Sequence, residues 1–214
     1  MHARRPSAGD PRRMLALALM AAVIVAACGG AGGAPIPEAV PGITAPPLGV
    51  RDTAYDPPRT APDLVLTDQD GQPFDLASLR GAPVFVYFGY THCPDVCPTT
   101  LADLRAAIRL TDIPARVVFV TVDPARDDAA AMKQYTDWYA SGFMGLTGTE
   151  AEIAAVATSW GVSYRRLDSS SAAGYAMSHS TDTYLVDGDG MLRHHLFFGA
   201  SAELIAERLR EVAG

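Results

Sequence analysis

Residues 88–98 read Phe88-Gly89-Tyr90-Thr91-His92-Cys93-Pro94-Asp95-Val96-Cys97-Pro98. Just before them, Pro83 to Phe88 is an apolar run of the length expected for a buried strand. Just after them, Leu101, Leu104 and Ile108 recur at helical spacing. Two cysteines with three residues between them therefore sit where a strand turns into a helix. Pro98 suits the first helical position, where a missing N–H costs nothing, and this starts the helix at Cys97. The unpaired backbone donors of that first turn favour a thiolate at Cys97. Two thiolates held so close either form a disulfide or grip one soft metal ion.

The 214-residue chain is not uniform upstream of this point. Arg4, Arg5, Arg12 and Arg13 precede an uninterrupted apolar run from Met14 to Ala27. That run is shorter than the roughly 20 residues needed to span a bilayer, and it has the form of a secretory signal. It ends Val25-Ala26-Ala27-Cys28, which resembles a bacterial lipobox with Cys28 as the lipidated first residue of the mature protein. An uncleaved signal anchor with an incidental cysteine is the competing reading. Residues 1–27 are accordingly read as a lipoprotein-type signal peptide. Residues 28–62, rich in Gly, Pro and Ala with no apolar periodicity, are read as the lipidated cysteine and a flexible tether. Residues 63–214 form the globular domain, large enough to bury a core.

The whole chain carries a formal net charge of −7. Residues 1–27 hold four arginines and one aspartate, so the remainder has 13 basic and 23 acidic side chains, a net −10. An acidic surface argues against nucleic acid as a partner and against direct binding to anionic lipid, leaving a lipid anchor as the route to a membrane. With Cys28 assigned to lipid, only Cys93 and Cys97 remain. Outside the cytoplasm such a pair tends to oxidise, and a loop this short constrains the unfolded chain too little to act as a structural staple.

Downstream of the helix, Arg116 to Val122 is a second apolar, β-branched run, ending in Asp123-Pro124-Ala125-Arg126-Asp127. A helix to about Ala140 follows, then another from Thr149 to Trp160, with Thr149 and Glu152 in capping-box spacing and Gly161 as its stop. Trp138 and Trp160 are read as core residues. Thr183 to Val186 is a strand, Asp187-Gly188-Asp189-Gly190 a hairpin turn, and Met191 to Phe198 the returning strand. Ala202 to Val212 closes the chain as an amphipathic helix. This order of elements is the thioredoxin plan: an α/β fold with a central mixed sheet flanked by helices, parallel strands first and an antiparallel pair last.

Cys93-Pro94-Asp95-Val96-Cys97-Pro98, the later Val122-Asp123-Pro124-Ala125-Arg126-Asp127 and His179-Ser180 ahead of a strand together resemble the Sco/SenC family. The resemblance covers Asp63 to the C-terminus. It implies a copper-handling, thioredoxin-like protein that serves the assembly of cytochrome c oxidase, with Cys93, Cys97 and His179 as metal ligands. The implied partners are the copper-centre subunit of a membrane-bound oxidase, a copper donor and a thiol reductant. The implied location is the extracytoplasmic face of a bacterial membrane. The residue chemistry agrees: thiolates select Cu(I) and imidazole also accepts Cu(II), so such a set holds either state. A structural zinc site closes with four protein ligands, and the sequence offers no fourth cysteine or well-placed histidine. The chain departs from the family at Ser178, where many members carry aspartate. Asp123 and Asp182 are the candidates for orienting His179 in its place.

The other chemistry-bearing residues have plainer readings. His92 adjoins Cys93 and is read as a loop residue that tunes the thiolate. Asp123 and Asp127 end a strand on the cysteine edge and serve the site, a partner or a helix cap. His194 and His195 are neighbours on a strand, so they face opposite ways and are read as non-ligands. The cysteines are spaced more widely than the Cys-x-x-Cys of thioredoxin, and the loop facing them carries Ser178-His179-Ser180 where thioredoxin has a cis-proline. The leading expectation is a metallochaperone that delivers copper to the oxidase's dinuclear centre. The alternatives are a thiol–disulfide reductase that keeps the oxidase cysteines reduced and a copper or redox sensor. A reductase has no use for His179.

Overall fold

The structure is a computed structural model that describes residues 49–140, 142–168 and 174–213. The signal segment, Cys28 and the tether as far as residue 48 lie outside the described residues. Within them the strands are β1 (Asp52–Thr60), β2 (Val65–Asp68), β3 (Pro73–Asp75), β4 (Val84–Gly89), β5 (Arg116–Thr121), β6 (Phe143–Thr147), β7 (Tyr164–Leu167), β8 (Ala176–His179), β9 (Thr183–Val186) and β10 (Met191–Leu196). The α-helices are α1 (Val96–Thr111), α2 (Ala129–Thr136), α3 (Glu150–Ser159) and α4 (Ala202–Ala213). Eight strands form one sheet in the order β1-β10-β9-β4-β5-β6-β2-β3, and β7 pairs with β8 in a separate two-stranded sheet.

Every residue of β4 is buried, which is why its sequence is a continuous rather than an alternating apolar run. β4 pairs parallel with β5 and antiparallel with β9, and β5 pairs parallel with β6. This is the mixed thioredoxin-like sheet expected from the order of elements. On α1, Leu101, Leu104 and Ala107 are fully buried, and the helix packs against α4. At the start of α3, the Thr149 side chain and Glu152 complete the capping box. Gly161 takes a φ of +71° just beyond that helix.

Three features depart from the sequence expectations. The tether was expected to reach residue 62, yet Asp52–Thr60 is a strand, antiparallel to β10 at the edge of the sheet. Its side chains are mostly exposed and it contains Pro57 and Pro58, so it shows none of the alternation of a half-buried strand. The second helix ends at Thr136, short of Ala140. Trp138, read as core, therefore lies past the helix and is 79% exposed, whereas Trp160 is buried. Finally, two segments for which no element is expected from the sequence form β7 and β8, and β8 ends on His179.

Candidate metal centre

The site is assembled from two chain segments. β4 delivers Gly89 at its end, the loop turns through Tyr90 to Asp95, and α1 begins at Val96. Cys93 is partly exposed on the loop, while Cys97 sits in the first turn of α1 and is fully buried. A Cβ on Gly89 would lie 2.8 Å from Cys97 Sγ and 2.7 Å from Phe119 Cε2, so only glycine lets the sulfur pack against the strand end. The third group, His179, comes from β8, 82 residues beyond Cys97. Its Nε2 lies 3.6 Å from Cys97 Sγ. The two sulfurs and an imidazole nitrogen all lie within 4.8 Å of one another. Two donors on one ion stand at most about 4.6 Å apart when metal–sulfur bonds are about 2.3 Å, so the triangle needs little adjustment to close on a single metal.

The imidazole is oriented locally. His179 Nδ1 lies 2.7 Å from the carbonyl oxygen of Ser180. A carbonyl only accepts, so Nδ1 carries the proton and Nε2 turns its lone pair toward the sulfurs. Tyr87 and Tyr90 stand edge-on to the ring, at centroid separations of 6.4 and 5.8 Å. Neither carboxylate expected to orient this ring touches it. Asp182 lies 2.9 Å from Nε2 of His195 on the neighbouring strand. Asp123 accepts from Arg126 Nε at 2.5 Å and from the Tyr175 hydroxyl at 2.7 Å.

The thiolate also falls on the other cysteine. The Cys97 thiol holds Cys93 far below the ordinary thiol range, to about 3, against the opposing effect of partial burial. The backbone N–H of Cys97, at 3.4 Å from Cys93 Sγ, adds to this stabilisation. His179 adds to it through a hydrogen bond whenever Nε2 carries a proton. Cys97 is pushed up, first because Cys93 holds its proton and then by burial. The first proton therefore leaves the pair as a unit, with the charge resident on Cys93. The helix terminus does favour a thiolate, as its orphan donors require, but the sulfur they reach is four residues upstream of the one expected.

His92 is not one of the donors that converge with the sulfurs. Its Nδ1 lies 3.0 Å from Thr91 Oγ1 and 3.7 Å from Asp127 Oδ1. Asp127 is fully buried and accepts from Thr91 N (2.9 Å), Thr91 Oγ1 (2.6 Å) and Thr121 Oγ1 (2.7 Å). It thus fastens the start of the cysteine loop to the end of β5. The helix-capping role considered for Asp123 or Asp127 belongs to Asp128, which accepts from Ala131 N. Sequence reasoning missed Tyr87, whose buried hydroxyl lies beside Cys97 and Thr100 without a well-aligned hydrogen bond. It also missed Tyr175, and no local pattern marks either residue.

Comparison with known proteins places this arrangement. The profile of the SCO1/SenC family matches residues 52–214, which include β1. The mouse mitochondrial protein SCO2 homolog is 38% identical over 153 residues, 69% of this chain; the match spans 60% of the mouse protein. The structure of Bradyrhizobium japonicum ScoI with copper bound is 36% identical with a TM-score of 0.64, covering 72% of this chain and 99% of that one. Arabidopsis thaliana ScoI with copper bound is 28% identical with a TM-score of 0.67, covering 72% of this chain and 98% of that one. The profile match spans the whole domain, including the loop, the turn and the histidine strand, and the chain belongs to the SCO1/SenC family.

Proposed function

We propose that this protein binds one copper ion through Cys93, Cys97 and His179 and hands it to the dinuclear copper centre of a cytochrome c oxidase. The observation that carries the reading is the convergence of two sulfurs and one imidazole nitrogen within 4.8 Å. Thiolates suit Cu(I), the nitrogen extends the set to Cu(II), and three protein donors leave a position open for a receiving ligand. Copper is cargo here, so the site must release as well as hold. Cys93, partly exposed and already ionised, is the donor an incoming partner thiol reaches first; Cys97 remains behind it in the core.

In this reading the domain works outside the cytoplasm, held to a bacterial membrane by acylation of Cys28. The support is the Val25-Ala26-Ala27-Cys28 sequence and the short apolar run before it. Two or more acyl chains give stable attachment, whereas one is marginal. A copper donor would load the site, and a thiol reductant would first open any Cys93–Cys97 disulfide, since oxidised sulfurs are not thiolate ligands.

One observation favours a second reading. A partly exposed thiolate backed by a buried thiol is the arrangement of a disulfide reductase. The Cys93 thiolate would attack a partner disulfide and release one partner thiolate. Cys97 would then displace the second, leaving two reduced partner sulfurs and a Cys93–Cys97 disulfide for an external dithiol to reduce. His179 takes no part in that exchange.

Cu(I) and Cu(II) competition against calibrated chelators separates the two readings when combined with oxidase assembly in cells. Copper delivery predicts that His179→Ala loses stable Cu(II) binding and that cells carrying it lack the oxidase's dinuclear copper. Normal oxidase activity in those cells at limiting copper would favour the reductase.

A further inference from the structure

The two halves of the site belong to different sheets, yet one short turn touches both. After β5, the segment Asp123-Pro124-Ala125-Arg126-Asp127 closes on itself through backbone bonds from Arg126 N and Asp127 N to Asp123 O. One end holds the cysteine loop: Asp127, buried, takes both the N–H and the hydroxyl of Thr91, two residues before Cys93. The other end holds the histidine strand. Asp123 accepts from the Tyr175 hydroxyl, and Arg126 Nη1 donates to the Tyr175 carbonyl oxygen at 3.1 Å. The Arg126 guanidinium also lies over the Tyr175 ring at 3.7 Å, with Arg166 on the same ring at 3.8 Å. Tyr175 directly precedes β8, whose last residue is His179. A second path runs through Tyr90: Arg126 lies 5.9 Å from its ring centre, and Tyr90 stands edge-on to His179.

We propose that the Asp123–Asp127 turn is the positioning element of the site. Asp127 sets the cysteine loop through Thr91, while Asp123 and Arg126 set the histidine strand through Tyr175 and Tyr90. None of these groups is a ligand. Their effect is to fix the separation between the sulfurs and the imidazole, which neither half determines by itself. The polar pairs suit that role because they are directional and largely buried: Arg126 and Asp123 are 19% and 4% exposed. Ser163 and Ser180 tie the other end of the β7–β8 pair, with Ser180 N donating to Ser163 O at 2.8 Å. The histidine strand is thereby fastened at both ends, and the Tyr175 end is the one that reports to the cysteine side.

This rests on the copper reading above, and the test separates the two. Tyr175→Ala removes both the stack and the hydroxyl from a partly exposed residue, whereas Tyr175→Phe keeps the stack. In the full-length protein, Tyr175→Ala is expected to lower Cu(II) affinity by about tenfold, the usual cost of losing a group that orients a ligand. Tyr175→Phe should fall between it and the wild type, and Cu(I) affinity, carried by the sulfurs, should stay unchanged in both. In the metal-free protein, the His179 ring resonances should broaden in Tyr175→Ala and recover in Tyr175→Phe. Unchanged Cu(II) affinity and sharp His179 resonances in Tyr175→Ala would overturn the proposal. So would equal losses for Cu(I) and Cu(II). If the wild type takes no copper, the copper reading fails, and the metal-free resonances still decide the positioning role.

Discussion

Two histidine clusters occupy this domain, and they are built on opposite principles. At the first, Cys93, Cys97 and His179 turn their donor atoms toward one another within 4.8 Å, and the back of the imidazole rests on a carbonyl. At the second, the rings lie against carboxylates. His194 lies between Glu211 (3.2 Å) and Asp52 (3.8 Å), and Arg208 bonds both carboxylates. His195 stacks on Tyr184 with centroids 4.8 Å apart and faces Asp182. The second cluster has more histidines and acids, but consecutive residues of β10 project to opposite faces, so their rings cannot converge. Ligation depends on lone pairs meeting at a point; a local abundance of histidine does not supply that.

The sharpest way to break the comparison is to delete donors at each cluster. Cys97→Ala or Cys93→Ala should reduce copper in the purified, dialysed protein to background by elemental analysis, because no other soft anion stands near. His194→Ala and His195→Ala should each retain one copper per chain. Copper lost equally from both clusters would erase the distinction.

A smaller effect separates the two cysteines. With Cys93 held at about 3 in its reduced pair, iodoacetamide should alkylate it at nearly the same rate from pH 5 to pH 8. An ordinary thiol slows by about tenfold for each unit below its pKa. Cys97, buried and protonated, should stay unmodified in the native protein. Peptide mapping by mass spectrometry assigns the label. A Cys93 rate that rises tenfold per pH unit would place the charge elsewhere.

Gly89 sharpens the packing side of the same site. In Gly89→Ala the new methyl meets Cys97 Sγ and the buried Phe119 ring at once, and neither neighbour has open space to move into. Overpacking of this kind costs about 1–3 kcal/mol. Chemical denaturation of the metal-free protein should show that loss, with Cu(I) affinity reduced alongside it. Unaltered stability would mean that the strand end yields more easily than its burial implies.

The smallest expected effect belongs to the second cluster. Burial pushes the His194 pKa below its ordinary value, with Glu211 and Asp52 opposing and Arg208 and Arg193 assisting. The unfolded state then binds the proton more readily than the folded one. His194 therefore contributes stability above its unfolded pKa, and that contribution is lost as pH falls through the depressed folded value. Between pH 7 and 5 the wild type should lose stability more steeply than His194→Gln in thermal melts followed by circular dichroism. Parallel pH profiles would show that the carboxylates offset the burial completely.

The elements legible in the sequence were those whose period survives burial. β4 and β5 announce themselves as apolar runs, α1 by Leu101 and Leu104, α3 by its capping pair, and the β9–β10 hairpin by Asp187 to Gly190. Cys93 and Cys97 were legible as candidates because a cysteine pair stands at a strand–helix junction, and His179 because the resemblance to the Sco/SenC family implied it. Their convergence was expected only through the resemblance, because the small β7–β8 sheet that supplies His179 has no apolar alternation to mark it. β1 was hidden by its prolines and its exposed edge. The residence of the charge on Cys93 follows from which sulfur lies in the core, and that depends on Gly89 and Phe119 lying beneath Cys97. In the sequence, Asp182 and Asp123 are equal candidates for supporting His179. Register decided between them by placing Asp182 against His195 and leaving Asp123 to act through Arg126 and Tyr175.

The central claim is that one copper is held by two sulfurs and the His179 nitrogen. X-ray absorption at the copper edge, recorded on the Cu(I)-loaded wild type and on Cu(I)-loaded His179→Ala, whose two sulfurs still hold Cu(I), tests it directly. The wild type should show sulfur scattering from two ligands together with the multiple-scattering pattern of a bound imidazole, and that pattern should vanish in His179→Ala. Imidazole scattering that persists in His179→Ala, or a wild-type shell without sulfur, would contradict the site.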